Sequence, residues 1–286
     1  MRCSGKEERL DQEMVTRGIT ESRSSAQSLI LAGSVRVDGE RVLKPGKKVL
    51  KNSLIEADKG PGWASRGAFK LLKALDVFCV DPSGKVCIDI GASTGGFTDV
   101  LLERGAVKVY SVDVGYGQLA WRLRSDERVV VMERTNARDL NPRDLEDTPE
   151  VAVMDVSFIS VTRILPALEE LLAPGGDCIV LIKPQFEAGK GCVGKKGVVR
   201  ERSVHMDVLR NVGTYISSMR DLVLMGANFS PILGPSGNME FLFHLRKGGS
   251  PPVAMDEGFL RDLVERAHRE LLGVPQEETD RTEGVL

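Results

Sequence analysis

Four ionisable side chains occupy positions from which they could activate a hydroxyl group. Asp155 and Lys183 each follow an apolar run, Lys70 lies in a helical pattern, and Glu240 follows a turn. A partly desolvated lysine whose pKa falls toward neutrality can act as a general base, and a second positive charge can stabilise the oxyanion that forms. We expect the two lysines to divide these roles and the two carboxylates to orient them. Taken singly, each residue could equally form a surface salt bridge.

A glycine-rich turn, Asp89-Ile90-Gly91-Ala92-Ser93-Thr94-Gly95-Gly96-Phe97, follows an apolar strand pattern. Its glycines let a ligand approach the backbone, and the next helix offers free N–H groups. Asp113 ends the following strand, where a carboxylate can accept both hydroxyl groups of a ribose. The spacing is G-x-x-x-G-G rather than GxGxxG, which disfavours a dinucleotide. We predict another ribose-bearing ligand, with Asn136 or Asp139 at an adenine edge; the alternative is a structural turn beside a surface aspartate.

Alternating strand and helix patterns position these residues. The strand patterns are KVCIDIG, VKVYSVDV, RVVVMER, VAVMDVSF, DCIVLIKP and MEFLFHL. Helical patterns lie between them, in FTDVLLERG, in QLAWRLRS and around residues 162–172 and 203–218. This order predicts an α/β fold with a mostly parallel, doubly wound sheet covered on both faces, whose ligands bind at the carboxyl ends of the strands.

The chain divides into four predicted parts: residues 1–58, a Gly/Pro-rich linker at 59–67, the α/β part at 68–247, and a C-terminal helix with a disordered acidic tail at 248–286. Residues 1–66 hold 13 Lys and Arg against 9 Asp and Glu, whereas residues 248–286 hold 4 against 9. The net charge of −2 therefore hides a basic head, which leaves a local phosphate-binding surface possible.

Several classes of protein are disfavoured. No apolar run approaches the roughly 18–20 residues of a membrane helix, and the first residues lack the apolar core of a secretory signal. The five cysteines are scattered without a CxxC pair, which indicates a reducing compartment and argues against a disulfide framework. The three histidines show no metal spacing, and no Walker or GxSxG motif occurs. We expect a cytoplasmic protein that binds neither metal nor membrane.

Two known domains resemble this sequence. The first segment is similar to the S4 RNA-binding domain in RLDQEMVTRG and SRSSAQSLILAGSVRVDGE, followed by Lys44-Pro45. The second resembles the FtsJ-like, Rossmann-type S-adenosylmethionine methyltransferases that act on ribose 2′-hydroxyls. Together, over roughly residues 6–247, they resemble the TlyA family of ribosomal RNA methyltransferases, sometimes labelled hemolysins. The blocks that match are SRGAFKL, DIGASTGGFTDVLL, VDVGYGQLAWRLR, ERTNAR, MDVSFIS, LIKPQFEAG, GVVRERSVH and GNMEFL.

The resemblance implies residue roles and partners. The catalytic set would be Lys70, Asp155, Lys183 and Glu240, with Lys183 activating the 2′-hydroxyl. S-adenosylmethionine would be the cofactor, bound by Asp89, Gly91, Ala92, Ser93, Gly95, Gly96, Phe97, Asp113, Asn136, Asp139 and Asp155. RNA contacts would come from Arg9, Arg17, Arg23, Arg36, Lys44, Lys47, Lys48 and Arg66. The partner would be 16S or 23S ribosomal RNA or a ribosomal subunit, methylated at cytidine by a protein that we expect to be a monomer.

Two other functions stay open at this stage. One is an RNA- or ribosome-binding protein with an inactive methyltransferase fold, although all four catalytic residue types are present. The other is a secreted cytolysin, which rests only on the family's label. The sequence does not identify the target nucleotide or say whether assembled subunits are required.

Overall fold

A computed structural model describes residues 7–20, 23–31, 35–42, 44–57, 62–194, 197–249 and 253–272. The predicted acidic tail from residue 273 onward and residues 59–61 of the predicted linker lie outside these ranges.

The helices are α1 Leu10–Thr16, α2 Arg23–Leu31, α3 Ala68–Phe78, α4 Gly96–Glu103, α5 Trp121–Arg124, α6 Leu165–Leu171, α7 Pro184–Glu187, α8 Arg202–Ser217 and α9 Glu257–Leu272. The strands are β1 Glu7–Arg9, β2 Val35–Val37, β3 Glu40–Arg41, β4 Lys48–Leu50, β5 Ile55–Ala57, β6 Val86–Ile90, β7 Lys108–Val112, β8 Val129–Met132, β9 Val151–Met154, β10 Asp177–Ile182, β11 Leu222–Phe229 and β12 Phe241–Lys247.

The N-terminal part is a small α+β unit around its own apolar core. Strands β3, β2 and β5 form one antiparallel sheet, and β1 pairs with β4. The turn between β2 and β3 contains Asp38 and Gly39, both at positive φ, as its Asp-Gly sequence predicts. Helices α1 and α2 pack over the core, whose buried members are Leu10, Met14, Ala26, Ile30, Val35, Val37, Val42 and Val49.

A seven-stranded sheet organises the described residues from 86 onward, in the order β11-β12-β10-β9-β6-β7-β8. Strands β6 to β10 run parallel, and β12 and β11 are antiparallel additions at one side. Buried clusters cover both faces of the sheet. The predicted mostly parallel, doubly wound fold is thus confirmed. Strand β11 is absent from the predicted strands, because a glycine and an asparagine interrupt the apolar sequence LVLMGANF. In the structure, the pairing of β11 with β12 shifts its register at Gly226.

The register of the sheet brings the functional residues to one edge. The last residue of β6, Ile90, lies opposite Met154 at the end of β9. The last residue of β10, Ile182, lies opposite Phe241 at the start of the antiparallel strand β12. The residues that follow or precede these positions therefore meet at the carboxyl edge of the parallel strands, where open α/β sheets bind ligands.

Some features that the sequence analysis considered can be checked only within the described residues. There, no helix has the length and apolar character needed to cross a bilayer. In the same part of the chain, no group of three or more metal-binding side chains forms. Cys79, Cys87, Cys178 and Cys192 are free thiols.

Candidate active site

The four predicted catalytic residues form one continuous chain of charges. The Nζ atom of Lys70 lies 2.7 Å from Oε2 of Glu240 and 3.2 Å from Oδ2 of Asp155. The other oxygen of Asp155 lies 2.5 Å from Nζ of Lys183. Both lysine side chains are buried, with 7% and 8% of their surface exposed. The structure thus brings together residues that are separated by up to 170 positions in the sequence.

The surroundings of Lys70 fix its protonation state. Burial alone would lower the pKa of this lysine, but the charges of Asp155 and Glu240 outweigh burial and raise it. The pKa of Asp155 is lowered, because its two lysine partners outweigh the effect of burial. Lys70 therefore stays positively charged at neutral pH.

Lys183 has a different set of partners. Its Nζ atom contacts Asp155 and donates a hydrogen bond to the hydroxyl of Ser157 at 3.0 Å. It follows β10 directly and is the N-cap residue of the short helix α7.

Two adjoining cavities open onto these residues. The larger has a volume of about 580 Å³ and contains Lys70, Lys183 and Glu240 in its wall. The smaller, of about 360 Å³, lies along the ends of β6 and β7. Both are lined by the same five residues where they meet, which are Gly91, Ser93, Asp155, Ser157 and Phe158. The charged chain therefore stands at the junction of the two spaces.

The smaller cavity combines apolar walls with a few polar groups. Asp113 and Asn136 line it beside Val112, Val114 and Ile164. This mixture fits a nucleoside, because the aliphatic side chains can enclose a base and the carboxylate can accept ribose hydroxyls. Asp139, by contrast, is exposed and lies outside both cavity walls, so of the two residues predicted for the adenine edge only Asn136 is in place.

Asp113 also shapes the glycine-rich turn. Its carboxylate accepts hydrogen bonds from the backbone N–H of Ser93 at 2.8 Å and of Gly115 at 2.6 Å. Ser93 has a φ of 49°, so the turn holds a non-glycine residue in the left-handed region. These bonds fix the turn that separates the two cavities.

The glycines of this turn are required by neighbouring protein atoms. A Cβ atom on Gly91 would lie 2.5 Å from the carbonyl oxygen of Asp155, and one on Gly95 would lie 2.3 Å from Leu123. On Gly96 it would lie 2.1 Å from the hydroxyl of Ser65, before helix α3. Close packing of the chain on itself therefore explains these positions, beside the approach of a ligand that the sequence suggested. Gly91, Gly96, Ala92 and Phe97 also line the larger cavity, whereas Gly95 does not.

Asp89 lies beneath the turn rather than in a cavity wall. Its side chain is fully buried, and Oδ2 accepts hydrogen bonds from the backbone N–H and the hydroxyl of Thr98. Burial raises the pKa of Asp89 to about 7. Asp89 therefore anchors the start of helix α4, and its contact with a cofactor stays a prediction.

Phe158 is a prominent feature that the sequence analysis did not single out. Its side chain is 91% exposed, lines both cavities and packs against the ring of Phe186 at 5.1 Å between centroids. Its φ of 66° is unusual for an aromatic residue and holds the ring outward. A sequence signal existed only in its position directly after the Asp155-Val156-Ser157 strand end.

A second missed feature connects the described end of the linker to the helix after the glycine-rich turn. Asp99 on α4 accepts a hydrogen bond from the backbone N–H of Ala64 at 2.8 Å and pairs with Arg122. Arg122 also donates to the carbonyl oxygen of Gly62 at 2.8 Å. The helix that follows the glycine-rich turn is thereby fixed to residues 62–64.

Among the predicted RNA contacts, Arg17 has a structural role. Its guanidinium donates to the carbonyl oxygens of Ser53 and Lys51 and to Glu13. Three-quarters of the side chain is buried by these contacts, since only 25% is exposed. Arg17 thus joins α1 to the segment after β4, and its contact with RNA phosphate stays a prediction.

The other predicted RNA contacts differ in their exposure and in the intramolecular bonds that they form. Arg9 and Arg23 both pair with the buried carboxylate of Asp11, yet their side chains are 47% and 54% exposed. Arg66 lines the larger cavity and donates to the carbonyl oxygen of Leu233 at 2.7 Å. The remaining basic residues are exposed at the surface of the N-terminal part; they are Arg36, Lys44, Lys47 and Lys48.

Two family models match separate parts of this chain. Residues 63–247 match the model of the FtsJ-like methyltransferase family, and residues 8–55 match the S4 domain. A Bacillus subtilis protein, YqxC, provisionally called an rRNA methyltransferase, is 48% identical over 94% of this chain and 96% of its own length.

Two further relatives are similar over most of the chain. The 16S/23S rRNA (cytidine-2′-O)-methyltransferase TlyA of Mycobacterium tuberculosis is 45% identical over 91% of this chain and 96% of its own length. A solved structure from Streptococcus thermophilus, provisionally described as a hemolysin, has a TM-score of 0.70 and 43% identity, covering 93% of this chain and 98% of that one.

Proposed function

This chain belongs to the FtsJ-like methyltransferase family, in the group with an N-terminal S4 domain that includes the TlyA proteins, and we propose that it methylates ribose 2′-hydroxyls of ribosomal RNA. The observation that supports this most is the chain Glu240–Lys70–Asp155–Lys183 at the junction of two cavities. We take cytidine in 16S or 23S ribosomal RNA as the target, because the Mycobacterium tuberculosis relative is named for it.

The smaller cavity fits S-adenosylmethionine. Its apolar walls suit an adenine ring, with Asn136 at the ring's edge, and Asp113 is placed to accept the ribose hydroxyls. The glycine-rich turn separates this cavity from the larger one, so a ligand bound along the turn would extend toward Asp155. When bound, S-adenosylmethionine supplies a methyl group on a positively charged sulfur.

The larger cavity would hold the target nucleotide with its 2′-hydroxyl near Lys183. In its neutral form, the Nζ atom of Lys183 would accept the proton of the 2′-hydroxyl, so that the ribose oxygen could take the methyl group that S-adenosylmethionine would supply, with the sulfur leaving as a neutral thioether. Asp155 holds Lys183 in place, and the permanent charge of Lys70 keeps Asp155 ionised. Glu240 in turn fixes Lys70. Proper orientation of oxygen and methyl donor supplies much of the rate enhancement.

In this proposal, the N-terminal domain binds the RNA. The exposed arginine and lysine side chains of residues 1–58 would contact phosphate groups, and residues 59–67 would join them to the catalytic domain at 68–247. We place this reaction in the cytoplasm, where ribosomal subunits are modified, and propose that the protein acts as a monomer.

The test is methyl transfer from labelled S-adenosylmethionine to unmethylated bacterial ribosomal subunits and to naked rRNA, with Lys183→Ala as the control. The product is mapped by primer extension that stops at 2′-O-methyl groups. Ribose methylation that depends on Lys183 is the expected result and identifies the nucleotide. Subunit binding without any transfer would instead support an RNA-binding protein with an inactive fold, and lysis of cells by both proteins would support a cytolysin.

A further inference from the structure

The side chain of Asn238 joins two separate segments at the larger cavity. Its Oδ1 atom accepts a hydrogen bond from the backbone N–H of Val199 at 2.9 Å, and its Nδ2 atom donates to the carbonyl oxygen of Gly197 at 2.9 Å. Only 2% of Asn238 is exposed. Both ends of the amide are therefore used, and both bond to the backbone of a segment about 40 residues earlier in the chain.

The segment that Asn238 holds is part of the cavity wall. Gly197 and Asn238 both line the larger cavity, and neither lines the smaller one. Val199 is buried, and Gly194 is bonded to Val198 and to Gly197 through the backbone. Residues 197–199 thus have a defined shape of their own, and the amide of Asn238 sets their distance from the rest of the cavity.

The same part of the cavity wall is fixed to the catalytic residues. The backbone N–H of Gly234 bonds to the carbonyl oxygen of Asn238, and a Cβ atom on Gly234 would lie 2.5 Å from Oε1 of Glu240. Arg66 bonds to the carbonyl oxygen of Leu233 on the other side. Residues 233–240 therefore have a fixed position, and Asn238 transmits it to residues 197–199.

We propose that Asn238 is a positioning residue for the RNA substrate. By holding residues 197–199 against the larger cavity, it sets the width of the space that the target nucleotide enters. This inference rests on the proposed function, since the larger cavity is taken as the nucleotide site. Asn238 acts on RNA binding and leaves cofactor binding unchanged, because it lies outside the smaller cavity.

The experiment compares Asn238→Ala, which removes both hydrogen bonds, with Asn238→Asp, which keeps the acceptor for Val199 and loses the donor to Gly197. Asn228→Ala is the matched control, because within the described part of the chain the Asn228 side chain bonds only to the N–H of its neighbour Phe229. Each full-length protein is tested for its affinity for unmethylated ribosomal subunits, its affinity for S-adenosylmethionine, and its KM and kcat. Hydrogen–deuterium exchange of the peptide containing Val199 reports directly on the hydrogen bond between Val199 and Asn238.

We expect Asn238→Ala to weaken subunit binding and raise the KM for RNA roughly tenfold, the scale of two lost hydrogen bonds. The affinity for S-adenosylmethionine stays unchanged, kcat at saturating RNA changes little, and exchange at Val199 becomes faster. Asn238→Asp should show the same changes. It provides the test if the alanine variant does not fold.

Three results would overturn the proposal: unchanged subunit affinity, a parallel loss of cofactor affinity, or a lower kcat at unchanged KM. Protection of Val199 that persists in both variants would overturn it as well. If the wild-type protein binds subunits without transferring methyl groups, the proposed function fails, and the binding and exchange data still decide the role of Asn238.

Discussion

Asp11 in the N-terminal domain and Asp155 in the catalytic domain each pair with two cationic side chains. The two sites differ in whether those side chains are arginines or lysines. Asp11 is fully buried and pairs with Arg9 and Arg23. Asp155 pairs with two lysines at the junction of the cavities. Arginine keeps its charge at any physiological pH, whereas a lysine can release and accept a proton.

The two sites also differ in where their cations point. The arginines around Asp11 remain about half exposed, so their outer N–H groups can reach a phosphate while the aspartate fixes their position. The lysines around Asp155 are buried in a cavity wall. One carboxylate with two cations can thus build a rigid binding surface or a proton-accepting site, depending on the side chain and its exposure.

The largest effect is expected from Lys183. Lys183→Ala should lower kcat by about 10²–10⁴-fold, the usual contribution of a general base. Lys183→Arg should be equally inactive, because a guanidinium keeps its proton, and methyl transfer to ribosomal subunits measures both. Lys108→Ala, which removes a surface lysine paired with Asp147, is the control. An active Lys183→Arg variant would contradict the contrast between the two sites.

Asp155→Asn should have the next largest effect. Both lysines lose their shared carboxylate, so the position of Lys183 loosens and kcat should fall on the order of 10²-fold. Breaking a buried ion pair also lowers the free energy of unfolding, typically by about 3–5 kcal/mol. Denaturant titration beside the transfer assay separates the two effects. Wild-type kcat in a folded Asp155→Asn protein would refute the proposed chain.

Asp11→Asn tests the other side of the comparison. We expect a loss of about 1–2 kcal/mol in the free energy of unfolding, a moderate value because water screens the half-exposed arginines. The subunit affinity should fall and kcat at saturating RNA should not change. A fall in kcat with unchanged affinity would show that Asp11 serves catalysis instead of binding.

The smallest expected effect concerns two histidines that bond to each other instead of to a carboxylate. Nδ1 of His205 on α8 lies 3.0 Å from Nε2 of His268 on α9. Burial first, and then the neighbouring His268, lowers the pKa of His205 to about 4. Burial and the charge of Arg202 also lower the pKa of His268. The ring of His205 further packs against Phe241.

The sign of the pH effect follows from this depressed pKa. The stabilising contribution of a neutral His205 is fully present above its unfolded value of 6.5 and is lost as the pH falls toward 4. Between about pH 7.5 and pH 6 the contribution of His205 to the free energy of unfolding should drop by about 1 kcal/mol, seen as the difference between wild type and a variant without this histidine. Unfolding curves of wild type and His205→Gln check this, and an equal slope in both proteins would exclude His205 as the cause.

Local patterns sufficed for the residues at the sheet edge. Asp155 and Lys183 follow apolar strand sequences, and parallel strands end at the same edge, so their proximity could be predicted. Glu240 could be predicted as well, because it precedes a strand at the same edge, and the resemblance named all four residues. Their roles stay predictions until the transfer assay is done.

Contacts between distant segments could not be predicted in this way. The bonds of Asn238 to Gly197 and Val199, and of Arg17 to Ser53, depend on side-chain directions that no local spacing encodes. Strand β11 was missed because its sequence does not alternate, and its pairing with β12 supplies what its own sequence lacks. The contact of Asp89 with Thr98 could not be predicted either, because a buried anchor and a ligand contact look alike in sequence.

Gly91 limits how the boundary between the two cavities can change. The gap between its Cα atom and the carbonyl of Asp155 is too small for one methyl group, and both sides of it are backbone. Side-chain rotation therefore cannot widen the boundary between the two cavities at Gly91, as it can where flexible side chains line a passage. Under the proposed function, a change of substrate size would come from the outer walls, while the spacing between methyl donor and acceptor would stay constant at Gly91.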